Sequence, residues 1–495
     1  MKVLVTGGTG VVGVGAVTAL ARRGHDVRLL SRHAEHDARR WPEGVEPWPG
    51  DVADAESIRG AADGCDVVLH LVAVVDESPP EATFDRVNVR GTRNIVREAE
   101  RAGVRKLVFV SSLGCDRGSS AYHQSKRAGE KIVRSFDGDW VIVRPGSVYG
   151  PGDEQISLLL KMIRTLPAIP VLGGGDDTFQ PIWHEDLAEA LVRVVERDDL
   201  AREELDIAGP EVTSQNDLIE RLSRITARNP VRVPLPDFLA KAGIRALGVV
   251  GIDVPFSDSQ LAMLREGNVI ADPQANALGD VLGVTATSLD RGLELLADAQ
   301  EEQLPDAGVG PLTRKRFWAD IQRSHLNPDG LFEYFRTHVN ELTPGFIDVG
   351  AEPGTPSVIE EGATLTLSLP LRGHIQVRVA EASERRITML TIAGHPLAGA
   401  VRFLFDYNGP NVRFEVQVYD RPANTFDFVA MRAVGDFVQN RTWEMVVDNV
   451  VRAAGGEARD GVKSESDLLS ADEARSVESW LDALVTKTKR EEVAR

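Results

Sequence analysis

The 495-residue sequence predicts an α/β, doubly wound parallel sheet over roughly its first 300 residues, followed by a smaller α+β domain. Three observations predict this. Short apolar runs alternate with helical patterns as far as about residue 150, the signature of a helix-covered parallel sheet. A glycine cluster, Gly7-Gly8-Thr9-Gly10-Val11-Val12-Gly13, ends the opening run and starts the first helical pattern. From about residue 364 consecutive strand-like segments follow one another and end in a long helix.

Taken in order, Lys2-Val3-Leu4-Val5-Thr6 is the first strand, and a helix over 11–23 stops at Gly24, a C′ glycine. Strands are expected at 26–30, 45–50 and 66–72, the last with Val67-Val68-Leu69 apolar throughout and so buried on both faces. A long helix over 81–102 stops at Gly103. A strand at 105–111, a helix at 120–136 and a strand at 140–143 complete the repeat. The chain changes character at Leu304-Pro305-Asp306-Ala307-Gly308-Val309-Gly310. Helices are expected at 312–323 and 330–342, then strands at 364–369, 376–379, 387–392, 401–405 and 412–419. The closing helix, 426–453, places Phe428, Met431, Val434, Phe437 and Val438 at helical spacing. One exposed helix over 471–489 and a solvated tail end the chain. The expected organisation is a dinucleotide-binding domain at 1–303, whose part from about 150 onward binds substrate. A linker with helices at 304–344, the α+β domain at 345–455 and a charged tail at 456–495 follow.

Composition narrows the function. A hydrophobic share of 42% with 26% charged residues describes a soluble globular protein. A net charge of −19 opposes broad nucleic-acid binding. No apolar run approaches the ~18–20 residues that span a bilayer, so no integral membrane segment is expected, although peripheral association is compatible with the sequence. The opening strand shows no signal-peptide pattern, and the only cysteines are Cys65 and Cys115, which suits a reducing cytoplasm. No His/Cys/Asp/Glu cluster has metal-ligand spacing, so no metal is expected.

The glycine cluster builds an anion seat. Gly7 allows a tight turn, Gly10 lets the backbone approach a diphosphate, and Gly13 lets the helix lie close. The helix N-terminus aims its free N–H groups at the phosphates. The second strand ends Leu30-Ser31-Arg32-His33, with no acid to accept from ribose hydroxyls. Arg32 can pair with a 2′-phosphate, so NADP(H) is preferred and NAD(H) remains possible. Asp51, in Gly50-Asp51-Val52, either accepts from an adenine amino group or forms an Asx turn. Tyr122-His123-Gln124-Ser125-Lys126 puts a phenol and an ammonium one helical turn apart. A phenol titrates near 10, and a neighbouring ammonium draws it toward the working range. Ser111 and Ser112 end the preceding strand, where a hydroxyl can hold a substrate oxygen. Cys115, His70 and His184 are expected to pack or hydrogen-bond rather than react.

The ordered set TGGTGVVG, GDVAD, NVRGTRNIV, VFVSSLG, YHQSK and RPGSVYGPGD resembles the extended and atypical short-chain dehydrogenase/reductase family over about residues 1–300. The resemblance implies a Rossmann fold with a dinucleotide across the C-terminal ends of the strands. It implies a catalytic centre of Ser112, Tyr122 and Lys126, with Lys126 also holding the nicotinamide ribose. The implied cofactor contacts are Thr6, Gly7, Gly10, Val11, Val12, Gly13, Ser31, Arg32, Asp51, Val52, Val72, Ala73, Lys126 and Pro145. Asn88 matches a structural helix asparagine, and the segment from Phe179 to Ala188 matches one that bounds the substrate pocket.

There are departures from the family pattern. Only nine residues separate Ser112 from Tyr122, Leu113-Gly114 stands where sugar dehydratases carry Asp-Glu, and His70-Leu71-Val72-Ala73 replaces a common Asn-Ala. These point away from nucleotide sugars and toward the branch similar to the accessory NADPH-binding subunit of respiratory complex I. Later, TIAGHPLAGAVRFLFDY and YDRPA resemble an uncharacterised bacterial family of the START/SRPBCC helix-grip type over about 345–454, which implies a pocket for a hydrophobic molecule. His395 either lines that pocket or caps a turn.

The leading expectation is an NADP(H)-dependent oxidoreductase acting on a carbonyl or alcohol of an apolar small molecule, with a C-terminal domain that binds a hydrophobic ligand. The alternatives are a non-catalytic NADPH-binding sensor or assembly protein, and an NAD(P)-dependent epimerase reusing the same triad.

Overall fold

Seven parallel strands form the first sheet: β1 (Lys2–Thr6), β2 (Asp26–Ser31), β3 (Glu46–Pro49), β4 (Val67–His70), β5 (Lys106–Val110), β6 (Asp139–Pro145) and β7 (Glu203–Ile207). Their order is β7-β6-β5-β4-β1-β2-β3. Strand order therefore reverses beside β1, and the crevice at such a switch point is where doubly wound sheets take ligands. The computed structural model describes residues 1–38, 41–235, 268–369, 373–423 and 436–494. It divides into two compact units: Met1–Leu159, Pro170–Arg221 and Arg232–Leu296 form the first, and Leu160–Ile169, Leu222–Val231 and Ala297–Arg495 form the second.

Side-chain alternation explains why helices cover both faces of the first sheet. Val3 and Val5 point to one side, with Ala16, Val17 and Leu20 of α1 (Val11–Arg22). Leu4, one residue out of phase, points to the other side, with Ile95, Val96 and Ala99 of α2 (Thr92–Ala102) and Val133 of α3 (Ala121–Val133). The first side is closed by α4 (His184–Glu196), through Leu187, Leu191 and Val194. Each fully buried aliphatic side chain contributes about 1.5–3 kcal/mol. The helix expected over 81–102 begins instead at Phe84, and its first segment, Phe84–Gly91, is a π-helix. Asn88 lies inside that wide turn, and its side chain serves tertiary contacts described below.

The second unit is built on an eight-stranded sheet: β8 (Thr313–Ile321), β9 (Asp348–Val349), β10 (Thr364–Leu369), β11 (Gly373–Ser383), β12 (Arg386–Thr391), β13 (Leu397–Asn408), β14 (Asn411–Pro422) and β15 (Lys463–Leu468). All its pairings are antiparallel, in the order β9-β10-β11-β12-β13-β14-β8-β15. Residues from α5 (Pro328–Thr337), α6 (Val339–Leu342) and α7 (Asp436–Ala453) share one core with Phe317, Val377, Phe403, Phe405 and Phe414 of the sheet. Side chains of the opposite phase, Ala380, Leu390 and Ala400, meet Leu481 of α8 (Ala471–Ala494).

Two expectations change here, and part of a third lies outside the described residues. The stretch read as a helix over 312–323 is β8, because Thr-Arg-Lys-Arg-Phe-Trp-Ala-Asp-Ile buries alternate residues. Phe317, Ala319 and Ile321 go inward while Arg316 stacks on Trp318 outside, and period 2 prevails over a marginal helical reading. The tail is not wholly solvated: Lys463–Leu468 pairs with β8 from Trp318 back to Thr313. The closing helix is described from Asp436, so Phe428, Met431 and Val434 lie outside the described residues. No helix among the described residues is long and apolar enough to cross a membrane.

Candidate active site

The C-terminal ends of β1, β4, β5 and β6 open into a cleft of about 540 Å³ in the first unit. Ten of the residues expected from the sequence line it together: Gly7, Gly10, Val11, Val12, Gly13, Ala73, Ser112, Tyr122, Lys126 and Pro145. Ser31, Arg32, Asp51, Val52, Val72 and Thr6 do not line it.

The floor is the loop from β1 to α1. Gly7 has φ +76°, and a Cβ there would lie 2.8 Å from the Val72 amide nitrogen. At Gly13 a Cβ would lie 2.2 Å from the Gly7 carbonyl oxygen and 2.5 Å from Gly8 Cα, so the glycine sets the distance between helix and loop. Gly10 differs: a Cβ there meets nothing nearer than 3.7 Å, and the space above the backbone is open. Gly10 is also the N-cap of α1 and makes no side-chain cap, which leaves the first-turn N–H groups facing the cleft. This open, uncapped cradle fits a dinucleotide diphosphate.

The residues beside the cradle are fixed by buried hydrogen bonds. Thr6 Oγ1 and His70 Nδ1 are 2.6 Å apart, and His70 Nε2 lies 3.1 Å from Thr92 Oγ1. Burial, with the Lys126 charge adding to it, pushes His70 down to about 3, so it stays neutral and structural. Asn88 Oδ1 accepts from Val74 N at 2.8 Å, while its Nδ2 donates to Val74 O at 3.0 Å and Ser125 Oγ at 2.9 Å. One asparagine thus ties the loop after β4 to the helix carrying Tyr122 and Lys126.

Tyr122 is half-buried, with the Phe84 ring edge-on at 6.2 Å, and its phenol shares the cleft with Ser112. Burial pushes that phenol up to about 12 although the Ser112 contact draws it down. The lowering expected from the Tyr-Lys spacing is therefore overturned by desolvation. Lys126 is 2% exposed and donates its Nζ to the Val110 carbonyl at 2.7 Å, and burial brings it down to about 8. Cys115 is fully buried and donates to Glu130 Oε1 at 2.9 Å. Burial and then that carboxylate raise the thiol to about 11, so it is inert near neutrality. Glu130 in turn receives two 2.7 Å bonds from Arg144.

Farther from the diphosphate cradle, Ser31 and Arg32 end β2, with Arg32 exposed. Asp51 Oδ1 accepts from Ala53 N at 2.9 Å, which is the Asx-turn geometry. Val52 buries its side chain in the core beside Gly91. His395 Nδ1 accepts from Leu397 N at 3.0 Å, closing a turn.

Phe179, which opens the segment expected to bound the substrate pocket, faces the other half of the cleft together with residues the sequence did not single out as contacts. Gly152, Asp153, Glu154, Gln155, Phe179 and Asn268 line it. Asp153 is spent locally: its carboxylate accepts from the amides of Gln155, Ile156 and Ser157. Asn268 is held by its backbone carbonyl, which accepts from Gln180 N at 2.9 Å, and its buried Oδ1 has no hydrogen-bond partner among the described residues. A lone asparagine distant in sequence carries no pattern that would have marked it. Among the described residues no group of His, Cys, Asp or Glu is placed to hold a metal.

The family model "NAD dependent epimerase/dehydratase family" matches residues 3–208. The chain is 33% identical over 237 residues to a ceramide reductase of Caulobacter vibrioides, covering 48% of this chain and 74% of that protein. It is 32% identical over 183 residues to a 3 beta-hydroxysteroid dehydrogenase/Delta 5-->4-isomerase of Mycobacterium tuberculosis, covering 31% of this chain and 49% of that one. An uncharacterized protein of the same species is 25% identical over 418 residues, 81% of this chain and 44% of its own length. The chain thus spans about half the length of these two mycobacterial relatives.

Proposed function

The chain belongs to the NAD-dependent epimerase/dehydratase family, and we propose that it is an NADP(H)-dependent reductase of a carbonyl on an apolar small molecule. The observation that carries this reading is the placement of Ser112, Tyr122 and Lys126 in one cleft with the uncapped start of α1. The N–H groups of Val11, Val12 and Gly13 would hold the diphosphate, and Arg32 would favour a 2′-phosphate. A bound nicotinamide supplies the hydride.

This chain's own residues manage the proton. Ser112 donates to the carbonyl oxygen and orients it, and Tyr122 Oη gives its proton to that oxygen as negative charge develops. With burial holding it near 12, the phenol is protonated at neutral pH, the form that can donate. Lys126, near 8, is still mostly an ammonium at pH 7 and stabilises the tyrosinate as it forms. The apolar lining residues Leu71, Val75, Val110 and Phe179 suit a substrate with little polar surface. The names of the ceramide and hydroxysteroid relatives support the same class. In this reading the second unit, an antiparallel sheet with α7 packed on one face, is a helix-grip module for a hydrophobic ligand.

The test is a titration of NADPH against NADH, followed by NADPH oxidation with long-chain and steroidal ketones. Tyr122→Phe should keep nucleotide affinity within about threefold and lose roughly a hundredfold or more in turnover. Tight NADPH binding with every ketone inert would refute the reductase and leave a nucleotide-holding protein.

A further inference from the structure

The wall of the cleft carries one polar side chain that carbonyl reduction by Ser112, Tyr122 and Lys126 does not use. Asn268 lines the same cleft as Ser112, Tyr122 and Phe179. Its Oδ1 is shut off from solvent and has no hydrogen-bond partner among the described residues. Buried side-chain acceptors normally find a partner, and one left unmet is costly to keep in a folded protein.

The segment that carries this side chain is firmly held. The Asn268 carbonyl accepts from Gln180 N, and Gln180 Oε1 accepts from Ile270 N at 3.1 Å, so one residue grips the segment on both sides of Val269. Gln180 is itself buried and donates its Nε2 to the Gly209 carbonyl at 2.7 Å. Arg117 donates to the Val269 carbonyl at 2.9 Å. Ile270 packs with Ala208 and with Leu113, the chain neighbour of Ser112. Asn268, two positions away, therefore enters the cleft on the side where Ser112 holds the carbonyl oxygen.

An acceptor held in this way suits recognition. It has already lost its water, so a donor that meets it gains a hydrogen bond without stripping the protein side. The end torsion of an asparagine is soft, which lets the oxygen turn toward such a donor. On the same wall Phe179 offers nothing polar, and three backbone amides engage Asp153.

We propose that Asn268 selects the substrate by accepting from a hydroxyl or amide N–H that stands beside the carbonyl to be reduced. The inference rests on the reductase reading and narrows it, from apolar ketones in general to those with a hydrogen-bond donor next to the carbonyl. Asn268 is a positioning residue and takes no part in moving the proton.

The experiment uses the full chain and three probes that differ at one group: hydroxymethyl decyl ketone, methoxymethyl decyl ketone and methyl decyl ketone. Affinity is read by calorimetry with NADP+ bound, where no reduction occurs, and turnover is read separately as NADPH oxidation. The parent should bind the hydroxymethyl ketone about tenfold more tightly than either other probe, because only that one can donate. Asn268→Leu should level the three affinities and keep NADPH affinity within about threefold, since the diphosphate cradle lies in the other half of the cleft. If Asn268→Leu does not fold, Asn268→Ala gives the same comparison. A donor preference in affinity that the substitution abolishes, with no NADPH oxidation, supports Asn268 as the selector and refutes the reductase. Turnover of all three ketones with equal affinities, or a preference that survives the substitution, overturns the role of Asn268 and leaves the reductase standing. Failure of all three ketones to bind overturns both.

Discussion

Two glycines three residues apart in the β1–α1 loop should respond oppositely to the same added methyl group. At Gly13 the new Cβ would stand 2.2 Å from the Gly7 oxygen, about 1.2 Å inside the 3.4 Å limit of ordinary contact, and the obstacle is backbone. Backbone cannot swing aside like a side-chain tip, so α1 must lift from the loop, at a cost of roughly 1–3 kcal/mol or more. At Gly10 the Cβ has 3.7 Å of clearance, and φ −83° is ordinary for alanine, so folding should change by less than about 0.5 kcal/mol. The same methyl would occupy the open approach to the α1 amides, where a diphosphate needs bare backbone, and tenfold in affinity corresponds to about 1.4 kcal/mol. Gly10→Ala should therefore keep its denaturation midpoint and lose at least about tenfold in NADPH affinity, whereas Gly13→Ala should lose both. Urea denaturation and fluorescence titration on the same preparations measure the two quantities. If Gly10→Ala binds NADPH as the parent does, the diphosphate does not rest on this helix start.

Other consequences are equally direct. Burial alone would raise Glu130, but the Arg144 fork, the Cys115 thiol and Ser111 hold its carboxyl down to about 2 against an ordinary 4.5. The stabilisation this represents, of order 3 kcal/mol, is present above pH 4.5 and is lost as pH falls toward 2. Glu130→Gln should be destabilised by about that amount at pH 7, and urea midpoints across the acid range should show the gap to the parent closing. A constant gap would rule out the linkage. His70, pushed to about 3 by burial, should show no ring titration by NMR between pH 5 and 8, and a midpoint near 6.5 would mean that its pocket is wet. Arg32→Ala should weaken NADPH about tenfold and leave NADH nearly unchanged, and equal losses for both would remove Arg32 from cofactor selection.

The parallel sheet was readable because its determinants are local: apolar runs such as Val67-Val68-Leu69, glycines at turns, and a period that switches between strand and helix. The glycine loop and the Tyr122/Lys126 spacing were readable for the same reason, since four residues on a helix set a neighbour relation without further folding. The misread stretch at 313–321 shows where this stops. Its consecutive charged residues, Arg314-Lys315-Arg316, suit either element, and only a partner strand, Asn411–Pro422, decides that Phe317, Ala319 and Ile321 share a face. Asp51 is a similar case: the sequence allowed an adenine contact or a turn, and its Oδ1 makes the turn with the Ala53 amide.

The sequence by itself determined the alternation of strands and helices in the first unit, the glycine-built start of α1, and which residue types reach the ends of β5 and α3. Tertiary structure alone decided the solvent around them. Desolvation raises the Tyr122 phenol where spacing predicted a fall, and a distant Glu130 keeps Cys115 protonated. Asn268, remote in sequence, completes the cleft wall. Periodicity is carried by neighbours along the chain, whereas burial depends on what the rest of the fold brings against a group.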